Sequence, residues 1–444
     1  MSRYDMLSRH WNGVVGISAL SALALMSPLA LAAKSDVPPG FGHQTTGGKG
    51  GQVIEVSTAE DLEKALCDPK KLSGDGRVCY DTTPKIIKIK GIIDYNAKGL
   101  AKMANGVGCY YSDEKVCTAK GVPPSKWSRL LSDNNSYRGQ CNGHTNAGTI
   151  TYNSWGLNSL AIGSNTTVMG VGKNSGIKGR GFAVRLASNV VIRNLSITDI
   201  NENIVFAGDG IEVQDADKVW IDQNRFTRIG RQWITVGWGK ATNVTISNND
   251  FDGSSNMGQY CDGTHYFGLI ISARNQNVSL VGNWFHHFRG RSPDVAPPDA
   301  AGQAPIVHML NNYFQHGTWH GLAATKPARV LAEGNYYENV DTPIIRYGSG
   351  DAAKNAGYVF APLATVTSQC QGQLGRVCTA NLVFGENPRP SSLPKAQAFT
   401  QDLTVLDAMK KAVAASRGGN LKPFPAKNVP RRVMAEVGPQ DWLR

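Results

Sequence analysis

The chain has 444 residues, 49 of them glycine, with 18% charged residues and a formal net charge of +12. A single compact core stops growing near ~250–300 residues, so this length asks for an elongated or repetitive fold, and the glycine-rich, charge-poor balance argues against a helical bundle. The basic excess suits a polyanionic partner (nucleic acid, anionic lipid or acidic polysaccharide), but no run of five basic residues supports a nucleic-acid arm.

In chain order, Arg3, Arg9 and His10 precede the apolar run VVGISALSALALMSPLALAA, which closes on the small-residue pattern Ala30-Leu31-Ala32. A basic leader, an apolar stretch and small residues at the cut predict a secretory signal peptide over 1–33 and a secreted, extracellular mature chain. No later segment holds ~18 consecutive apolar residues, so no membrane span is expected. Ser57–Leu66, STAEDLEKAL, sets Ser57 three residues before Glu60 ahead of a helical apolar rhythm. That predicts a capped helix covering the N-terminal end of the fold, where strand edges would otherwise lie open. Residues 86–93, IIKIKGII, alternate as an early strand. Eight cysteines, at 67, 79, 109, 117, 141, 261, 370 and 378, fit an oxidising compartment and four disulfides among 105 pairings. Their irregular spacing argues against zinc.

The middle of the chain repeats. KVWIDQNRF from Lys218, NVTISNNDF from Asn243, NVSLVGNWF from Asn277, IVHMLNNYF from Ile306 and RVLAEGNYY from Arg329 align without gaps. They share Asn224, Asn249, Asn283, Asn312 and Asn335, followed two positions on by Phe226, Phe251, Phe285, Phe314 and Tyr337. NVVIRNLSI from Asn189 and TTVMGVGKN from Thr166 are looser copies. Each unit is too short to bury its own apolar face, so neighbours must stack. Asparagines would then form a ladder, aromatics would pile inside, and extra residues would leave as loops. The expected fold is all-β: a right-handed parallel β-helix with an N-terminal capping helix, long loops over one face and a C-terminal arm. The β-propeller rival needs ~40 residues per blade, against intervals of 29, 25, 34, 29 and 23 between the starts at 189, 218, 243, 277, 306 and 329. The catalytic β-helix is assigned to 34–395. The helical spacing of 402–417 and the Pro-rich tail assign 396–444 to an arm packed on it.

Chemistry-bearing residues gather in 209–291: Asp209 in GDGIEV, Arg228 and Arg231 in RIGRQ, Arg289 and Arg291 in FRGRSPD. Twenty-two residues separate Asp209 from Arg231, about one coil, which would set the two side by side on adjacent strands. The simple alternative for each arginine is a surface salt bridge, favoured for Arg228 and Arg289.

Val219–Asp222, Arg228–Gln232, Cys261–Gly268, Gly290–Pro293, Leu331–Asn335 and the early segment 164–182 resemble, in order and spacing, the motifs of pectin lyases in polysaccharide lyase family 1, relatives of the pectate lyases. The resemblance is close over 160–345. It implies β-elimination on methyl-esterified galacturonan by a monomer without cofactor, and it sets Arg291 as the proton-abstracting group. Arg231 would polarise the ester carbonyl and Asp209 would hold an arginine by a charge-assisted fork. A guanidinium is a poor base unless its charged form is disfavoured, which crowding by Arg231 would supply. Pectate lyases place acidic residues around calcium; here RIGRQ puts fixed positive charge in that place, so no metal is expected. Phe206 and Phe267 stand where the family commonly has Trp, Gln223 stands for His, and Asp294 stands for a basic residue after GRSP. Arg228, Phe206, Phe267, Trp233, Trp238 and Tyr266 are the expected substrate contacts. By the same analogy Cys109–Cys141, Cys117–Cys261 and Cys370–Cys378 are bridges, leaving Cys67–Cys79. The alternatives are a calcium-dependent pectate lyase, a hydrolase with paired carboxylates, or a β-helix that binds polysaccharide without cleaving it.

Overall fold

Each coil of this chain is three short strands joined by turns, and corresponding strands of successive coils pair in parallel. The computed structural model describes residues 36–132, 141, 144–274, 276–297, 305–346, 356–385, 399–416 and 421–441, so the expected signal peptide lies outside the described residues. Strands of the first sheet run from Gln52–Val56 to Tyr358–Phe360 in ten rungs. Val190, Val219, Val244, Val278, Val307 and Val330 face one another in register and are fully buried, as a β-branched row on an inward face should be. The second and third sheets form one continuous 15-stranded sheet because the long strand Tyr313–Ala324 belongs to both.

The corner between the first and second sheets explains the asparagine repeat. Asn194, Gln223, Asn248, Gly282, Asn311 and Gly334 all take φ between 51° and 64°. This left-handed region is tolerated best by Gly and Asn. The next residue turns its side chain into the coil. Asn224, Asn249, Asn283, Asn312 and Asn335 are fully buried, and each amide nitrogen donates to the next asparagine's oxygen at 2.9–3.1 Å. The same nitrogens also donate to backbone carbonyls one rung back, from Ile192 to Met309. Thus every side-chain amide nitrogen of these five ladder asparagines has its partners. The ladder extends one step beyond the sequence repeat, to Asn381, whose surroundings do not share the motif's valine and aromatic spacing.

On the second sheet the aromatic file stacks as the repeat requires. Ring centroids are 5.1 Å apart for Phe226–Phe251, 4.7 Å for Phe251–Phe285, 4.9 Å for Phe285–Phe314 and 4.7 Å for Phe314–Tyr337. One register differs from the alignment. Thr166 pairs with Val190, not with Asn189, so that early copy begins at Asn165. Asn165 shares the left-handed conformation of Asn189 and accepts its amide at 3.0 Å.

The N-terminal helix is Ala59–Leu66, with Leu62 and Leu66 in the core beside Ile87 and Ile89. Its cap is Thr58, whose hydroxyl accepts from the Asp61 N–H at 3.2 Å, rather than Ser57. The cap is shifted by one residue, and in place of a reciprocal box the Thr58 hydroxyl donates to the Asp61 carboxylate at 2.7 Å. The expected C-terminal helix is Thr404–Ser416, burying Val405, Leu406 and Met409 against Leu331 and Phe360. A second helix, Val429–Glu436, seats Val429 and Val433 on Tyr313. Its Pro at the first turn had disguised it within the Pro-rich tail. Four disulfides are formed, Cys67–Cys79, Cys109–Cys141, Cys117–Cys261 and Cys370–Cys378.

Candidate active site

The turns leading from the second sheet into the third carry the candidate residues. Ile211, Ile234 and Leu269 align in register on successive rungs, which places Asp209, Arg231 and Phe267 along one edge, with Arg291 following on the rung of Asp294. Asp209 and Arg231 are neighbours, as the one-coil spacing requires, and Arg231 Nη1 donates to Asp209 Oδ2 at 2.9 Å. The expected fork onto one guanidinium is absent. Instead Asp209 divides its oxygens among Arg231, the Gln232 N–H at 2.9 Å and the Thr235 hydroxyl at 2.8 Å. Both partners are largely enclosed, with side chains 12% and 8% exposed, so the pair is weakly screened. His265 was not foreseen: its Nε2–H donates to the Arg231 carbonyl at 2.7 Å and pins the backbone behind the guanidinium.

Arg291 sits two rungs from Arg231, and Gln232 bridges the gap. With its amide oriented to satisfy both ends, Gln232 accepts from Arg291 Nη1 at 2.8 Å and donates to the Gly268 carbonyl at 3.1 Å. The Arg291 guanidinium lies 5.0 Å from the Phe267 ring centre and 5.4 Å from that of Tyr266, with Asp294 Oδ2 3.5 Å from its Nε. The groups packed directly on Arg291 are thus two aromatic faces, an amide and a carboxylate. Burial raises the Asp294 carboxyl above its usual range, while Arg291 opposes the rise. Gly290 is forced by close approach, since a Cβ there would stand 2.7 Å from the Tyr266 ring and 2.9 Å from His320 Nε2. His320 is buried in this wall, and burial, aided by the charges of Arg291 and Arg289, lowers its pKa to about 4.

A cleft of about 240 Å³ opens over Asp209 and Arg231, lined also by Phe206, Trp238, Arg185 and Glu212. The Arg231 guanidinium stands 5.3 Å from the Phe206 ring centre, and Trp238 is exposed at the cleft. Glu212 is paired with Arg185 and accepts from Ser159 at 2.9 Å. Two expected contacts are corrected. Trp233 has no exposed surface and stacks on Phe251 at 5.3 Å inside the coil, because the residue preceding Ile234 faces the core. Phe267 is 5% exposed, its ring occupied by Arg291 rather than open to a sugar. Tyr266 is half-buried and stacks on Trp319, itself 37% exposed, at 5.9 Å. Trp319 was missed because it lies in a long strand outside the aligned motifs. Arg228 and Arg289 form ion pairs, with Asp199 through two nitrogens and with Asp262 at 2.7 Å. The Gln223 departure has a structural use: its amide donates to the Glu436 carbonyl at 2.9 Å and ties down the C-terminal arm.

Fold and cleft together define a parallel β-helix protein with an arginine-bearing groove. The family model described as pectate lyase matches residues 137–374. Probable pectin lyase E of Aspergillus fumigatus is 33% identical over 404 residues, covering 90% of this chain and 94% of that protein. Probable pectin lyase F of Neosartorya fischeri is 32% identical over 417 residues, covering 93% and 97%. Among solved structures, the pectate lyase of Acidovorax avenae subsp. citrulli shares the fold with a TM-score of 0.53 at 18% identity, covering 96% of this chain and 99% of that one. The chain belongs to the pectate lyase family.

Proposed function

We propose that this protein is a secreted, monomeric pectin lyase that cleaves methyl-esterified galacturonan by β-elimination without a metal. The observation that carries the reading is the arginine-bearing edge itself: Arg231 held by Asp209, with Arg291 linked to the same turn through Gln232. The curated relatives named pectin lyases support the substrate class.

In the proposed step the C5–H bond, α to the C6 ester carbonyl, is broken by proton transfer to Arg291. Electron density moves into the carbonyl, where Arg231 stabilises the developing oxyanion. Collapse forms the C4=C5 double bond and expels the C4 oxygen, which takes up a proton. Asp209 does not touch the substrate; it positions Arg231. For Arg291 to accept a proton its charged form must be disfavoured in the closed complex. Tyr266, Phe267 and Asp294 each attract a guanidinium, so that disfavouring has to come from exclusion of water by the bound substrate.

Calcium, the metal of pectate lyases, prefers six to eight oxygen ligands. In the cleft, Asp209 and Glu212 are each engaged by an arginine, so these residues do not fit a calcium cage. Highly methylated pectin incubated with the protein and EDTA should yield an ultraviolet-absorbing unsaturated product. Silence on that substrate, with calcium-dependent cleavage of polygalacturonate, would overturn the proposal; new reducing ends without absorbance would indicate hydrolysis. The resemblance also supports a removable leader over 1–33, the β-helix of 34–395 as the catalytic part and 396–444 as its packed arm.

A further inference from the structure

On the outer face of the second sheet, Asp252 and His286 lie opposite one another on adjacent rungs, and His287 follows at the turn. Outward orientation follows from strand alternation, since Phe251 and Phe285 between them fill the coil interior. His286 Nδ1 and His287 Nδ1 face each other at 2.9 Å, and Asp252 Oδ1 is 3.8 Å from His286 Nδ1. One ligand atom from each of the three residues falls within 4.8 Å of the others.

The tautomer of His286 is set by its other nitrogen. Nε2 is 2.8 Å from Asp250 Oδ1, and a carboxylate can only accept there, so Nε2 carries the proton and Nδ1 presents a lone pair toward His287. A carboxylate behind a histidine in this way is the usual outer support of a metal-bound imidazole. Around the cluster, Asp250 and Asp252 share one guanidinium, with Arg225 Nη2 2.8 Å from Asp252 and Nε 3.6 Å from Asp250. Two carboxylates against one cation leave local negative charge. The His316 ring lies 5.3 Å from that of His287, and His287 itself is exposed, which opens a path from solvent.

We infer that Asp252, His286 and His287 form a binding site for a divalent transition metal, zinc being the natural choice for a two-imidazole, one-carboxylate set. Metal–nitrogen bonds of ~2.0–2.1 Å at near-right to tetrahedral angles separate two nitrogens by roughly 2.9–3.4 Å, the spacing already present between the rings. Without metal, His287 Nδ1–H donates to His286; metal entry replaces that proton, which is released to solvent. The site is set apart from the cleft residues in role: it would join two rungs of the second sheet, and elimination chemistry does not pass through it.

Zinc chloride titrated by calorimetry into the EDTA-treated, dialysed full-length protein should bind at one ion per chain, with proton release that varies with the buffer's ionisation heat. His287→Ala, a change at an exposed side chain, should weaken that binding at least ~10-fold. Asp250→Asn, which removes only the outer carboxylate, should weaken it roughly 10–100-fold. Copper(II) should quench Trp284, whose ring stacks on His286 at 3.7 Å, and His287→Ala should abolish that quenching. The inference is overturned by absence of a one-ion event, or by zinc affinity and copper quenching that His287→Ala leaves unchanged while circular dichroism reports an intact fold.

Discussion

Arg291 is held by three unlike contacts, an amide oxygen, two aromatic faces and a carboxylate, and each depends on a planar guanidinium of fixed reach. Lysine offers a compact ammonium that cannot bridge Gln232 while lying on Phe267. Arg291→Lys should therefore lower kcat at least ~100-fold on methylated pectin, and near-full turnover would remove any geometry-specific role. Asp209→Asn keeps the size and an acceptor for the Gln232 N–H but discharges the partner of Arg231. Loss of a charge-assisted hydrogen bond, about 1.5–3 kcal/mol, corresponds to ~10–150-fold. The fall should appear in kcat with KM little changed, because Asp209 acts by positioning; an equal rise in KM would point to ground-state binding instead. These three residues were legible in the sequence through motif order and coil spacing. The division of labour among Gln232, Thr235 and His265 was not, since ordinary polar residues in turns and short strands carry no signal of where their side chains point.

At the scale of the coil, the asparagine ladder and the aromatic file stabilise the same corner by different means. Asn283 both donates and accepts along the ladder, so Asn283→Ala would strand the Asn249 amide and the Ile246 carbonyl in a dry interior. At about 1–3 kcal/mol per unsatisfied buried group, the variant should lose several kcal/mol. Denaturant unfolding would show it as a lower midpoint; an unchanged midpoint would mean that water enters the ladder freely. The strand register was readable because Val, Asn and the aromatic recur at fixed offsets. It slipped by one at Asn165, where Thr166 and Thr167 replace the guiding valine. Trp233 was misread as a sugar platform because an aromatic near an arginine looks the same in sequence whether it faces a core or a groove.

At the scale of the whole molecule, buried charge and disulfides tie loops to the solenoid, while apolar contacts and the Gln223 amide seat the arm. Glu333, fully buried, is held by His308 and Arg376, which bring its pKa down to about 2 despite burial. A carboxyl depressed in the folded state adds stability above its unfolded value near 4.5, and this is lost as pH falls toward 2. His320 acts at a higher window. Its folded pKa of about 4 lies below the ordinary 6.5, so the unfolded chain takes up the proton first and stability declines from pH 6.5 toward 4. Melting temperature should fall in both windows, and His320→Gln should flatten the upper one; a slope unchanged there would exclude His320 as its source. Cys117–Cys261 closes 144 residues and ties the loop helix Glu114–Ala119 to the loop that carries Tyr260 and Asp262. Replacing both cysteines with serine should cost about 2–5 kcal/mol, read as an earlier thermal transition.

The sequence alone determined the stacking of the coils, the ladder, the aromatic file and the rung-to-rung approach of Asp209 and Arg231, because all of these follow from local periodicity repeated along the chain. Tertiary structure decided what periodicity cannot encode. Which aromatics face the cleft, what separates Arg231 from Arg291, and how Asp252, His286 and His287 converge depend on side-chain direction at turns and on loops that bring distant residues together.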